Sequence, residues 1–306
     1  MEPVKDLEIR KGMSVDEIIQ GMKDGGGFTS KHLAVGIDVL ENMFKDANSV
    51  NFLSFTADIV STGTRGVLKD MLKNNMFKVV ITTCGTLDHD IARCFKDYYE
   101  GRFEADDAEL AKKGINRLGN VFIPNESYGE ILEDKMKEFL EEIAAEKKEI
   151  STHELCWEIG RRLKDESSIL YWAWKNKIPV IVPGITDGSI GYQIWQYAQD
   201  HDFKLNLLKD EKLLSDLVWN AKRSGALIIG GGISKHHVIW WNQFKKGLDY
   251  AVYISTAVEW DGSASGARPR EAVSWGKIKP DAKFSHIDGD ATVILPIIYA
   301  SLLERL

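Results

Sequence analysis

Short apolar runs alternate along the chain with stretches of helical period, and that alternation carries the first prediction. Strands are expected at 51–55, 78–82, 120–123, 179–182, 226–229 and 250–255. The runs around Val79, Val180 and Ile228 are apolar at successive positions. Both faces of those strands are therefore covered, as parallel strands between helical layers require. Helices are expected at 64–74, 88–98, 130–147, 152–164, 190–200, 210–224, 235–245 and 291–304. The one at 152 opens with Thr152 and carries Glu154, which reads as an N-terminal cap. Strands alternating with helices predict an α/β fold, a doubly wound and mostly parallel sheet with helices on both faces. Residues 1–48 lack strand signal and read as a short helical N-terminal cap. Residues 49–306 follow as one domain, since no Pro/Gly/Ser linker, repeat or low-complexity segment divides them.

Composition narrows the class. The chain has 306 residues, 44% hydrophobic and 28% charged, an ordinary soluble make-up. A net charge of −7 argues against a nucleic-acid footprint. The first residues have no apolar core, and the longest apolar runs are far too short to cross a bilayer. Cys84, Cys94 and Cys156 are odd in number and form no C-x-x-C pair, which suggests a reducing compartment and no zinc site. A cytoplasmic protein is expected. Nine tryptophans are many for this length and favour packed interfaces or ligand pockets.

Two segments carry candidate chemistry. In LIIGGGISKHH, residues 227–237, an apolar strand runs into Gly230, Gly231 and Gly232 before a helix begins. Glycines there let the backbone approach a ligand, and the free N–H groups of the following helix favour phosphate. The G-x-G-x-x-G fingerprint is absent, and a glycine triplet can also be no more than a tight turn. Other apolar runs end in small or polar residues: 55–58, 82–86, 184–189 and 255–257. Several such ends on one sheet edge amount to a groove of dinucleotide size. The second segment, EWDGSASGARPREAVSWGKI at 259–278, reads as a long specific loop. It places Lys277 two residues from Trp275; a lysine against aromatic walls loses hydration of its ammonium and becomes a nucleophile. The plainer reading is a surface lysine at a strand start. His236 and His237 open the helix after the glycine turn, where one could move protons and either could be solvated or capping. No metal-ligand spacing and no G-x-S-x-G elbow is present.

These segments, together with DGDATVILP, TADIVSTGTRG, TTCGTLDHD, GINRLGNVFIPNESY, SILYWAWKNKIPV and TDGSIG, resemble the deoxyhypusine synthase family over roughly residues 28–298. The resemblance implies a Rossmann-like fold and a homotetramer with NAD-containing sites at subunit interfaces. It implies that NAD dehydrogenates spermidine and that diaminopropane leaves. The butylimine then passes through an enzyme lysine to a lysine of the translation initiation factor precursor that carries hypusine. By motif position, Lys277 carries the imine, His236 transfers protons, Trp275 walls the polyamine tunnel and Glu271 holds a substrate amine. For NAD the resemblance assigns Asp58, Thr83, Gly85, Asp187, Gly231, Gly232, Thr256, Asp261, Ser265, Asp290 and Ala291.

The chain departs from the family pattern where amines would bind. His89 stands in place of a glutamate, Tyr192 and Ala264 each in place of an aspartate, and Asp58 in place of an asparagine. His89 and Tyr192 remain candidates for the substrate side, Tyr192 through a cation–π face. Asp88 and Asp90 are the candidates for a displaced carboxylate. Lys235 is the rival to Lys277, although its helix-start position suits phosphate or solvent. The competing functions are aminobutyl transfer to a free amine, which makes homospermidine, a non-catalytic NAD-binding paralogue in a hetero-oligomer, and a plain nicotinamide dehydrogenase.

Overall fold

Five expected strands, besides the one at 120–123, form in a computed structural model that describes residue 1 and residues 3–306. They are Ser49–Phe55 (β1), Val79–Ile81 (β2), Val180–Ile181 (β3), Arg223–Ile229 (β4) and Leu248–Ser255 (β5). An eleven-residue strand that the pattern does not predict, Ile278–Asp288 (β6), follows them. The chain divides into two compact units. The first comprises Met1–Phe55, Met76–Ile81 and Leu213–Leu306; the second comprises Thr56–Asn75 and Thr82–Lys212.

In the first unit the strands run β2-β1-β4-β5-β6, every neighbouring pair parallel. Phe52, Leu53, Leu227, Ile228, Val252 and Ile254 are all buried, so the sheet is apolar on both faces as a doubly wound sheet must be. The order reverses between β1 and β4. In such sheets the crevice for a ligand opens beyond the carboxyl ends of the strands at that switch point. Residues 1–48 hold two helices, Val15–Gly25 and Phe28–Lys45, and among the described residues no strand. Ser14 and Glu17 form a capping box at the first. The second packs hard on the sheet, for a Cβ on Gly36 would lie 2.8 Å from Ile287. Arg305, at the end of the Ala291–Arg305 helix, ties both down through Asp16 at 2.5 Å, Asp38 at 2.9 Å and Glu41 at 3.0 Å.

The second unit is mainly helical, with Cys84–Ala92, Gly129–Glu146, Thr152–Leu163 and Ser189–Asp200 as its main helices. The strand expected at 120–123 does not join the parallel series. As Val121–Pro124 it is the central strand of a small antiparallel sheet with Tyr99–Glu100 and Ile115–Leu118. Leu118 pairs with Val121 across Gly119 and Asn120, and Gly119 at φ +59° supplies the left-handed residue of a two-residue hairpin. The cap expected from Thr152 belongs instead to Ser151, whose extended backbone (φ −86°, ψ 173°) suits an N-cap. Its hydroxyl accepts from the Glu154 N–H, and the Glu154 carboxylate accepts from the Ser151 N–H. Thr152 is buried and donates to Asp210 at 2.9 Å. The long loop expected at 259–278 is broken by a helix, Pro269–Ser274, with proline in its first turn. Among the described residues no helix is long and apolar enough to cross a membrane.

Candidate active site

The carboxyl ends of β4, β5 and β6 bring the candidates of the first unit together. β4 stops at Ile229 and the chain turns through three glycines into the Gly232–Gln243 helix. Gly230 and Gly232 hold φ of +76° and +65°, a region that only glycine enters freely. A Cβ on Gly231 would overlap Ser265, so the 256–268 loop lies directly on the glycine turn. Nothing stands within 4 Å of where a Gly232 Cβ would be, which leaves open space at the start of a twelve-residue helix. Thr256 follows β5 and is exposed. Asp261 ends a short turn and accepts from the Ser263 N–H at 2.7 Å. Asp290 caps the last helix by accepting from the Thr292 N–H at 2.8 Å, and Ala291 is that helix's first residue.

Beside this edge lies a cavity of about 190 Å³, lined by Lys235, His236, Tyr253, Glu271, Trp275 and Lys277 among others. Three stretches of chain build it. The helix after the glycine turn carries Lys235 and His236, β5 carries Tyr253, and the Pro269–Ser274 helix with the turn after it carries the rest. Lys277 sits just ahead of β6, where its N–H donates to the Ala272 carbonyl at 2.9 Å. Its ammonium lies 5.2 Å from the Trp275 ring centre, in cation–π range. Trp275 is 66% exposed, so on that side the cavity is open. His236 stacks on Trp240 with ring centres 5.9 Å apart. Partial burial and then the Lys277 ammonium hold its pKa below the usual histidine range, so at neutral pH it is free to accept a proton.

Lys235 does not occupy the solvent-facing position expected from sequence. It is 2% exposed and donates to the Ala267 carbonyl at 2.7 Å, with its ammonium 4.3 Å above the Tyr253 ring. No local pattern signals this, because the groups that bury it come from residues 253 and 267.

The remaining candidates belong to the second unit. Asp58 is exposed in the short Ala57–Ser61 turn, and Asp187 is exposed in the turn after β3. Thr83 is the N-cap of Cys84–Ala92 and Gly85 lies in its first turn, where a Cβ would come within 2.8 Å of Ala57. Tyr192 is 55% exposed beside Trp195, so its ring is available. His89 is 8% exposed, with Nδ1 2.9 Å from the Tyr98 hydroxyl. Burial, reinforced by the Arg93 guanidinium, pushes its pKa down to about 4.

The two carboxylates offered as displaced amine ligands are committed elsewhere. Asp88 is buried and accepts from the Ser189 and Ile190 N–H groups, at 3.0 and 2.9 Å, and from the Tyr128 hydroxyl at 2.8 Å. It caps a helix that its own segment does not contain, and burial raises its pKa. Asp90 meets Arg65 at 2.7 Å, the Ser168 hydroxyl at 2.7 Å, and the N–H groups of Ile169 and Leu170. Glu271 is thus the carboxylate that lines the cavity with Lys277.

Comparison with known proteins shows the family. The family profile described as deoxyhypusine synthase matches residues 17–302. A relative from Picrophilus torridus named "Probable deoxyhypusine synthase" is 55% identical, over 99% of this chain and 97% of its own length. One from Thermoplasma acidophilum with the same name is 53% identical, over 98% and 97%. A solved structure from Entamoeba histolytica carrying the same family name superposes with a TM-score of 0.69 at 21% identity. That match covers 98% of this chain and 97% of the other, and at such identity it is a likeness of fold.

Proposed function

Because the chain belongs to the deoxyhypusine synthase family, transferases of an aminobutyl group, we propose that it moves that group from spermidine to one lysine of the translation initiation factor precursor, using NAD. The observation that carries the reading is the cavity that Lys277, Trp275, His236 and Glu271 line together.

The bare glycine turn fits a dinucleotide. Gly232 leaves room for a pyrophosphate at a helix N-terminus, while Gly231 lets the Ser265 loop approach the turn, and Asp261 and Asp290 offer carboxylates suited to ribose hydroxyls. Thr256, Ser265 and Ala291 complete the set in the first unit, and Asp58, Thr83, Gly85 and Asp187 are proposed for the cofactor from their motif positions. When bound, NAD supplies the hydride acceptor at the start of the reaction and the hydride donor at its end. The chain does the remaining work. Glu271 holds a substrate ammonium by charge, and Trp275 offers an aromatic wall to a cationic, partly apolar amine. Lys277 takes the butylimine and passes it to the acceptor lysine. His236, neutral at working pH, accepts the proton that the reacting amine sheds.

The exposed aromatic and imidazole faces of Trp275, Trp240 and His236 suit a partner subunit. We therefore read the working form as a homotetramer in the cytoplasm that excludes water from the cavity by assembly. Sedimentation that finds a stable, fully active monomer contradicts this part. The deciding experiment incubates the protein with NAD, labelled spermidine and the factor precursor. Label is expected on one lysine of the factor. Label on a free diamine would make the chain a homospermidine-forming enzyme, and label that stays in spermidine a non-catalytic paralogue.

A further inference from the structure

The cavity beside Lys277 holds a second amine in a setting unlike that of a surface lysine. Lys235 is 2% exposed, on the first turn of Gly232–Gln243, and its ammonium donates to the Ala267 carbonyl at 2.7 Å. An ammonium carries three N–H groups, and this one is otherwise set against the face of Tyr253 at 4.3 Å. The Tyr253 hydroxyl is itself buried and has no hydrogen-bond partner. The inner wall is therefore aromatic and poor in acceptors, while Ile239, Ala267 and Ala272 add apolar surface. The Tyr253 face attracts an ammonium, but burial with a single carbonyl acceptor leaves the charge largely desolvated and favours the neutral amine.

We propose that Lys235 is the base that relieves Lys277 of its proton and returns that proton to the departing amine. The inference rests on the reading of Lys277 as the imine-forming lysine. In the step, the Lys277 ammonium gives one proton, through cavity water, to the neutral Lys235 amine. The freed lone pair forms a C–N bond to the imine carbon of the oxidised donor. The C–N bond to diaminopropane breaks, and the Lys235 ammonium returns the proton to that leaving nitrogen. One C–N bond forms and one breaks, no electrons are transferred, and Lys235 ends as it began.

The charged and titratable groups facing Lys235 come from a loop, a short helix and two strands. Arg268 and Glu271 lie on the loop and the short helix, Tyr253 on β5 and His286 on β6, with His236 and Lys277 completing the cavity. Burial, with Arg268 adding to it and Glu271 opposing it, brings the Lys235 pKa down to about 8. A proton acceptor works best when its pKa lies near the working pH. A lysine held only for packing needs no such setting.

The test is single-turnover formation of the borohydride-trapped aminobutyl adduct on Lys277 between pH 6.5 and 10. In the wild-type chain the rate should rise about tenfold per pH unit below pH 8 and level off above it. Lys235→Met should melt at the wild-type temperature and bind NAD normally, yet lose the pH-dependent rise and fall about 100- to 1000-fold at pH 8. Trimethylamine, which accepts a proton but cannot form an imine, should restore part of the rate in Lys235→Ala. A wild-type rate and pH profile in Lys235→Met, or adduct trapped on Lys235 itself, overturns the assignment. Should the variants not fold, ¹³Cε-lysine NMR of the wild-type chain decides: a Lys235 midpoint near 8 supports the role, and one near the ordinary 10.5 ends it. Absence of adduct from Lys277 in the wild type overturns the family reading and this proposal with it. Adduct on Lys277 with a flat wild-type pH profile overturns the proposal alone.

Discussion

The Lys277 cavity and the Asp88–Asp90 segment both carry candidates for amine-binding chemistry, and they are built on opposite principles. Around Lys277, charged side chains from three stretches of chain line open space, and Glu271, Trp275 and His236 keep a face toward it. Around Asp88 and Asp90, each carboxylate spends its oxygens on backbone N–H groups and side chains of its own unit. The lesson concerns accounting for hydrogen bonds. A charged residue is available to a ligand only when its lone pairs are not already satisfied, and a sequence does not print that balance.

If the second region is structural, removing its charge should cost stability and little else. Asp90→Ala leaves the buried Arg65 guanidinium and two N–H groups without their acceptor, and should lower unfolding free energy by about 3–5 kcal/mol in urea titrations. A loss below about 1 kcal/mol would place Asp90 in another role. Next in size is an acid response from His89. Its folded pKa, about 4, lies below the ordinary 6.5, so between those values the unfolded chain binds a proton that the folded chain refuses. Stability should be complete above pH 6.5 and fall as pH drops toward 4, by up to about 3 kcal/mol. His89→Gln should flatten that slope, and an unchanged slope would assign it to other groups. Ser151→Ala removes one half of a capping box and should cost about 1 kcal/mol, read from the thermal midpoint. The smallest stability effect should come from the first region. Glu271→Ala, at an exposed position, should change stability by no more than about 0.5 kcal/mol while raising the KM for the amine donor. Unchanged KM would remove Glu271 from the donor site.

Much of the fold was legible because β1, β2, β4 and β5 are apolar on both faces and end at glycine or small polar residues. β6 was not. It is the edge strand, interrupted early by Pro280, and its outward positions carry Asp281, Lys283 and Phe284 among the exposed residues, so neither a buried run nor a clean alternation appears. The antiparallel strands were hidden by their shortness. At the site, Lys277, Trp275 and Glu271 could be grouped because they share one turn of chain and a recognisable motif. Lys235 could not, since Tyr253 and Ala267, the groups that bury it, lie 18 and 32 residues away and leave no periodic trace. Asp88 and Asp90 misled for the same reason, their partners lying 25 to about 100 residues distant.

The central claim is that Lys277, and no other lysine, carries the aminobutyl group between donor and acceptor. Borohydride added during turnover with NAD and labelled spermidine should fix the label on Lys277, as read by peptide mass spectrometry. Lys277→Ala should bind NAD with wild-type affinity, form no adduct, and lose transfer by at least about a thousandfold. Wild-type transfer by Lys277→Ala, or label fixed on a different lysine, would contradict the account.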